Sequence, residues 1–219
     1  MKNFYITISA YIFFIIIILF GTPRSANHEI TAKSIWSVPS NARTEMMQNC
    51  PYKLGPMQFT QCITKIMQAY NANEAAIDFT TLLQGQGFMS DFRNTGIVDV
   101  ARAAIIGADR SDEFYLVNGK PNPINVDDPA ILNQLSNALA ANGQYQTIKA
   151  DHPDVLLWGG NHDFPTVIKN KNGTLRFVFT YPLKKGCVAC ETIGQANIAF
   201  DFNSTGLFLG PQLVAVSSK

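Results

Sequence analysis

Histidine is scarce in this chain of 219 residues, with only His28, His152 and His162, and charged side chains make up 15% of it. No HExxH, GxSxG, P-loop or dinucleotide fingerprint occurs, so the usual marks of zinc hydrolases, serine hydrolases and nucleotide enzymes are missing. Internal repeats and low-complexity tracts are missing as well. Excess charge of either sign is absent: 17 basic residues stand against 16 acidic ones, a net +1. That balance argues against a nucleic-acid partner held by broad electrostatics. A hydrophobic fraction of 47% excludes intrinsic disorder and collagen-like sequence. Only one long apolar run exists, which excludes a multi-span membrane protein. No cofactor, no resident metal and no catalytic residue is expected on these grounds.

What is present begins with that run. Lys2 precedes an apolar stretch over residues 4–20, interrupted at Thr7 and Ser9 and closed by Gly21, Thr22 and Pro23. A positive start, an apolar middle and small residues afterwards describe a secretory signal over residues 1–26. Cutting after Ala26 places Arg24 where a small residue is preferred, and the run approaches the ~17 residues that span a bilayer. An uncleaved N-terminal anchor is therefore the alternative, and the only expected route to a membrane. Removing Lys2 and Arg24 leaves fifteen basic residues against sixteen acids, so the remaining chain is mildly acidic. Export, to a periplasm or outside the cell, is the expectation for residues 27–219, which suit one domain with its own core.

Residues 27–56 lack periodicity, contain Pro39, Pro51 and Pro56, and read as an extended arm anchored by Trp36. The α+β domain is expected over residues 57–219. Phe59, Cys62, Ile63, Ile66, Met67 and Tyr70 recur at helical spacing. Asn71 and Glu74 have the spacing of a capping box, ahead of a second helix over residues 73–83. Residues 97–106 fit a helix or a buried strand, and strand is preferred because residues 114–117 lead into Asn118-Gly119, a type I′ turn signal. The returning strand holds Ile124 and Val126, with Pro121 and Pro123 confining it to an edge. Asp127-Asp128-Pro129 starts a helix with its stripe at Ile131, Leu132, Leu135, Ala138 and Leu139, and Asn142-Gly143 ends it. The rest reads as an antiparallel meander: a short strand at 155–158, a hairpin about Asn172-Gly173, and two strands over 195–202 and 207–216. The expected fold class is α+β, with N-terminal helices followed by an antiparallel sheet in a single domain.

Cys50, Cys62, Cys187 and Cys190 allow three pairings. Local pairing is the simplest: Cys50–Cys62 would tie the arm to the first helix, and Cys187–Cys190 would brace a strand connection. A sharper reading makes Cys187-Val188-Ala189-Cys190 a redox dithiol, with Lys184 and Lys185 able to lower a thiolate pKa. A thioredoxin-like site needs its CxxC at a helix start in a βαβ unit, and here the flanks are antiparallel strands. A four-thiolate zinc site would need Cys50 and Cys62 as well, at a spacing loose for the purpose. An oxidising exterior favours disulfides instead.

His152, Asp154, His162 and Asp163 cluster in sequence, and a metal-dependent hydrolase using His152, His162 and Asp163 is one functional alternative. The plainer reading makes them polar loop residues capping turns. Lys169, Lys171, Arg176, Lys184 and Lys185 fall in residues 164–190 without a single acid. They form a candidate patch for an anionic partner, or a solvated edge where lysines discourage sheet-to-sheet pairing.

The stretch Phe179-Thr180-Tyr181-Pro182-Leu183, with Gly186-Cys187-Val188-Ala189-Cys190-Glu191, Ile193-Gly194 and Ala199-Phe200-Asp201-Phe202, resembles a recurring block in exported bacterial proteins of uncharacterised role. Tyr115-Leu116-Val117-Asn118-Gly119 with Val126-Asp127-Asp128 resembles another piece of the same group. The resemblance covers about half of the mature chain. It implies a bacterial exported protein and brings no activity or catalytic residue with it. In that group a polar residue such as His is expected where Val188 stands, which weakens a metal or redox role for this CxxC. The leading functional expectation is a disulfide-stabilised, exported, non-catalytic protein that binds an unknown protein or anionic partner. A thiol–disulfide protein using Cys187 and Cys190 is the first alternative.

Overall fold

A computed structural model describes residues 29–51, 53–107, 112–160, 162–187 and 189–219. The signal or anchor expected over residues 1–26 lies outside the described residues.

Three helices come first: α1 (Ser40–Asn49), α2 (Pro56–Ala69) and α3 (Glu74–Leu82). Helix α2 buries Phe59, Ile63, Ile66 and Met67, the stripe its periodicity predicts. The arm expected over residues 27–56 is not wholly extended. It contains α1, which buries Ala42 and Met46 beside α2. Periodicity could not reveal α1, because its other side chains are mostly polar and its apolar face exists only against a neighbour. The cap of α3 also differs from expectation. Asn73, not Asn71, accepts the Ala76 N–H at 2.9 Å, while Asn71 takes a left-handed φ of 58° just past the end of α2.

A four-stranded antiparallel sheet follows, in the order β1 (Gly87–Arg93), β2 (Asp99–Ile105), β3 (Asp112–Val117) and β4 (Ile124–Asn125). Strand β2 resolves the ambiguity over residues 97–106 in favour of strand. Val100 with Leu116 faces one side, and Ala101 with Tyr115 faces the other, so both faces are buried. Short alanines on the second face let α3 approach, and Phe79 meets Tyr115 edge-on at 6.5 Å.

Asn118-Gly119 does not form the expected two-residue turn. Six residues join β3 to β4, and they dock on the second sheet instead of folding back at once. Lys120 N–H donates to Gly206 O at 2.8 Å, and Phe208 N–H donates to Lys120 O at 2.9 Å. Gly119 is needed here for proximity: a Cβ would lie 3.0 Å from the Phe202 ring and 3.1 Å from Gly206 O.

Asp128 accepts the Ala130 N–H at 2.8 Å and so caps α4 (Pro129–Leu132), as the Asp-Pro signal predicts. Asn142-Gly143, expected as a stop, is also a start. The Asn142 side chain accepts the Tyr145 N–H, so that α5 (Ser136–Ala141) is followed by α6 (Gly143–Asp151). The second sheet runs β5 (Val155–Leu157), β7 (Leu175–Lys185), β8 (Thr192–Phe202) and β9 (Phe208–Ser218), with β6 (Thr166–Lys169) also paired to β7. The meander and its Asn172-Gly173 hairpin are as predicted, and the α+β class holds.

Strand β7 alternates without a break. Phe177, Phe179, Tyr181 and Leu183 point inward, while Arg176, Val178, Thr180, Pro182 and Lys184 do not. The inner face packs with Ile198, Phe200 and Phe202 against Val98 just before β2, Val100, Phe114 and Leu116 of the first sheet, and Leu135 and Leu139 of the helices. Each buried phenylalanine contributes about 2–3 kcal/mol at the usual area coefficient. The result is a layer of helices, a four-stranded sheet and a five-stranded sheet. The far face of the last is open among the described residues.

Candidate functional site

The loop between β5 and β6 carries His162 inward to where the two sheets meet. The ring is 1% exposed and surrounded by Tyr181, Phe179 and Phe114, at centroid distances of 4.3, 5.7 and 6.4 Å. Its Nδ1 lies 3.0 Å from the Thr180 carbonyl oxygen, which can only accept, so Nδ1 carries a hydrogen. Its Nε2 lies 2.7 Å from Asp127 Oδ1, and the Gly160 nitrogen lies 3.3 Å from it. If Nε2 is protonated, the pair is imidazolium and carboxylate. If it is not, the carboxyl group carries the proton. In both cases one proton sits between Nε2 and Oδ1.

An Asp–His pair is familiar as a general base, but a base needs one nitrogen turned toward a substrate. Here both nitrogens are engaged inside the protein. The pair fastens the 158–165 loop to the β4–α4 junction and to β7. Gly159 permits it: a Cβ there would lie 2.7 Å from Asp127 Oδ1. Asp127 Oδ2 is buried without a hydrogen-bond partner among the described residues, which adds to the energetic stake in the bond that Oδ1 makes.

Tyr181 completes the cluster by donating to Val126 O at 2.7 Å. Burial raises its phenol well above the ordinary value of 10.0, and the Asp127 charge raises it further. Tyr115 is raised for the same first reason, followed by its bond to Glu113. Both stay protonated in the folded chain at pH values where the unfolded chain ionises them. Stability is therefore unaffected below pH ~10 and falls above it, by about 1.4 kcal/mol per pH unit for each tyrosine. Urea titrations between about pH 9 and 11 should show this slope, and Tyr115→Phe and Tyr181→Phe should each remove one tyrosine's share of it.

The proposed metal-binding trio does not converge. His152 ends α6, where its N–H donates to Ile148 O at 2.8 Å, Asp163 is exposed, and His162 is committed to Asp127. Among the described residues no group of three or more His, Cys, Asp or Glu side chains is placed to hold a metal.

All four cysteines are paired locally, Cys50 with Cys62 and Cys187 with Cys190. The second bridge spans the turn from β7 to β8, where Cys190 N–H donates to Cys187 O at 3.1 Å and Lys185 N–H to Glu191 O at 3.1 Å. Cys187 is exposed and Cys190 half-buried. Among the described residues no helix starts at this CxxC, so none of their helix dipoles acts on it. In the chain-entropy relation the short bridge contributes about 2 kcal/mol and the longer Cys50–Cys62 loop about 3. Replacing both cysteines of each pair by serine should show that order in urea midpoints.

The five basic residues do not form one patch. Arg176 and Lys184 share a face of β7 but stand eight residues apart, about 27 Å at strand rise. That exceeds the screening length of about 8 Å in physiological salt. Lys169 and Lys171 lie at one end, Lys184 and Lys185 at the other. Arg176 is held by Asp201 through two bonds of 2.7 Å and by Gln212 at 3.0 Å. A cleft of about 450 Å³ lies elsewhere, between α1 and the first sheet. It is lined by Arg43 and Asp112, one charge of each sign, and so favours neither anions nor cations.

Asp127 is the residue that sequence reasoning missed. A helix cap uses one carboxylate, and Asp127-Asp128 supplies two. The surplus acid was the available signal. No family model, curated protein or solved structure matches the chain.

Proposed function

We propose that this is an exported protein, periplasmic or secreted, that works by binding a partner and not by catalysis. One observation carries the reading: the side chains best suited to chemistry are used internally. His162 is closed between Asp127 and Thr180, and the cysteines are in disulfides. The disulfides themselves fit an oxidising compartment. Among the described residues no helix is long and apolar enough to cross a membrane.

The surface we assign to a partner is the open face of the five-stranded sheet. Short side chains line it, among them Val178, Thr180, Asn197 and Ala215, and Thr180 donates to Asn197 across the strands at 2.9 Å. Its charge is neutralised at Arg176–Asp201 and screened at the ends, so a protein surface suits it better than an extended polyanion. Photo-crosslinkers at positions 180 and 197, introduced in the native exporting cell, should capture one and the same protein, and a crosslinker at Gln61 on α2 should not. Hydrolytic turnover by the purified chain that disappears in His162→Ala would overturn the reading.

The exposed Cys187–Cys190 turn favours thiol–disulfide exchange as a second reading, since a partner thiolate can reach the Cys187 sulfur. Structural disulfides of exported proteins have potentials below about −300 mV, and redox enzymes lie well above this. A measured potential near about −200 mV would favour exchange.

A further inference from the structure

We propose that β9 is a self-pairing edge, through which two copies of this chain join their five-stranded sheets. Strand β9 is paired to β8 alone. The alternation of its backbone shows which groups remain. Lys219 N–H donates to Ile193 O at 3.1 Å, and the register sets Ser218 opposite Gly194 and Ser217 opposite Gln195. Residues 193 and 219 are therefore a hydrogen-bonded pair. By alternation Ser217 and Ala215 bond to β8, while Val216 and Ser218 turn their N–H and C=O groups outward.

The two sides of the sheet treat this hazard differently. On the β7 side, β5 and β6 are three and four residues long, and Lys169 and Lys171 stand at the end of β6. Short strands and lysines are the usual defence of an edge. Strand β9 is eleven residues long, and residues 202–218 contain no charged side chain. Leu209 and Val214 are 57% and 49% exposed along it. Pro211 and the register shift near Phe208 blunt its first half, and a second shift makes Val214 a bulge, which leaves residues 215–218 as the regular stretch for pairing.

A second copy is the occupant that fits. Antiparallel pairing about a twofold axis at Val216 sets the segment against itself, so that a charge on or beside the axis would stand near its own copy. An uncharged segment pairs with itself without like-charge repulsion. Val216 would exchange N–H···O=C bonds with its symmetry mate, and Ser218 would meet residue 214.

Sedimentation velocity on the disulfide-bonded chain, together with amide exchange at Val216 and Ser218, tests this. The chain should pass from monomer to dimer as concentration rises through the micromolar range, with both amides becoming protected as it does. Ala215 lies on the exposed face, so Ala215→Lys and Ala215→Glu should each fold. Like charges diagonally opposite should weaken each homodimer by roughly tenfold or more, and an equimolar mixture should restore dimers. A chain that stays monomeric throughout overturns the proposal. So does a dimer in which Val216 and Ser218 exchange freely, or one that neither substitution weakens. The exchange measurement on the unmodified chain decides the matter even if a variant fails to fold.

Discussion

His162→Ala is expected to destabilise the folded chain by about 3–5 kcal/mol, the usual cost of breaking a buried pair from one side. The ring sits among Tyr181, Phe179 and Phe114, so its loss opens a cavity. It also leaves both Asp127 oxygens buried without a side-chain partner, because Oδ2 has none already. Asp127→Ala should cost a similar amount, and the double variant much less than the sum, since each removes the group that the other leaves stranded. Asp127→Asn separates a structural fastening from an acid–base site. Its amide can donate to an unprotonated Nε2 while Nδ1–H still donates to Thr180 O, so stability should change by less than about 1 kcal/mol. Urea unfolding of the four variants measures all of these. A loss above about 3 kcal/mol for Asp127→Asn would show that the charge, and not the bridging hydrogen, holds the pair.

Asn118→Ala is the second large effect, at about 4 kcal/mol. Asn118 Nδ2 donates to Asp99 Oδ2 and to Ile30 O, each at 2.8 Å, and Asn118 Oδ1 accepts the Ile30 N–H at 2.8 Å. Asp99 is fully buried, and its other oxygen accepts the Thr95 and Gly96 N–H groups. Losing one donor to a buried carboxylate costs about 1.5–3 kcal/mol. Freeing the segment that holds Ile30 adds to this. A further ~1 kcal/mol comes from forcing alanine into the φ of 65° that asparagine tolerates. Asn118→Gly should therefore be about 1 kcal/mol less harmful than Asn118→Ala, because it relieves the backbone and still loses the bonds. Equal losses in the two variants, read from urea midpoints, would remove the backbone contribution from the account.

Asn118 shows why local signals were read only in part. Followed by glycine, it looks like a hairpin turn, and it does take a positive φ. Its amide is turned to a different use, however, joining Asp99 to a segment 88 residues earlier in the chain. Asn142 likewise looked like a stop and is also a cap, because capping depends on whether the following residues find a surface to pack on. Ile148 finds one against Val155, Leu183 and Ala196. The stripe on α2, the alternation in β7 and the Asn172-Gly173 turn were legible because their periods match the local backbone geometry.

The candidate site was less legible than the fold. Cysteine pairing followed from chain proximity, whereas the trio of His152, His162 and Asp163 was suggested by proximity and dispersed by the structure. A loop eight residues long can turn one side chain inward and its neighbour outward. Linear closeness says nothing about direction.

The sequence by itself determined the scarcity of charge, the α+β class and the cysteines available for bridging, because these depend on composition and short-range period. Tertiary structure alone decided what the three scarce polar groups do. His162 is buried by sheet packing and Asp127 is its partner across 35 residues. Arg176 is neutralised by a strand 25 residues away. The uncharged stretch at residues 202–218 was visible from the start. Only the order of strands made it an edge, since a strand's exposure depends on which neighbours it lacks.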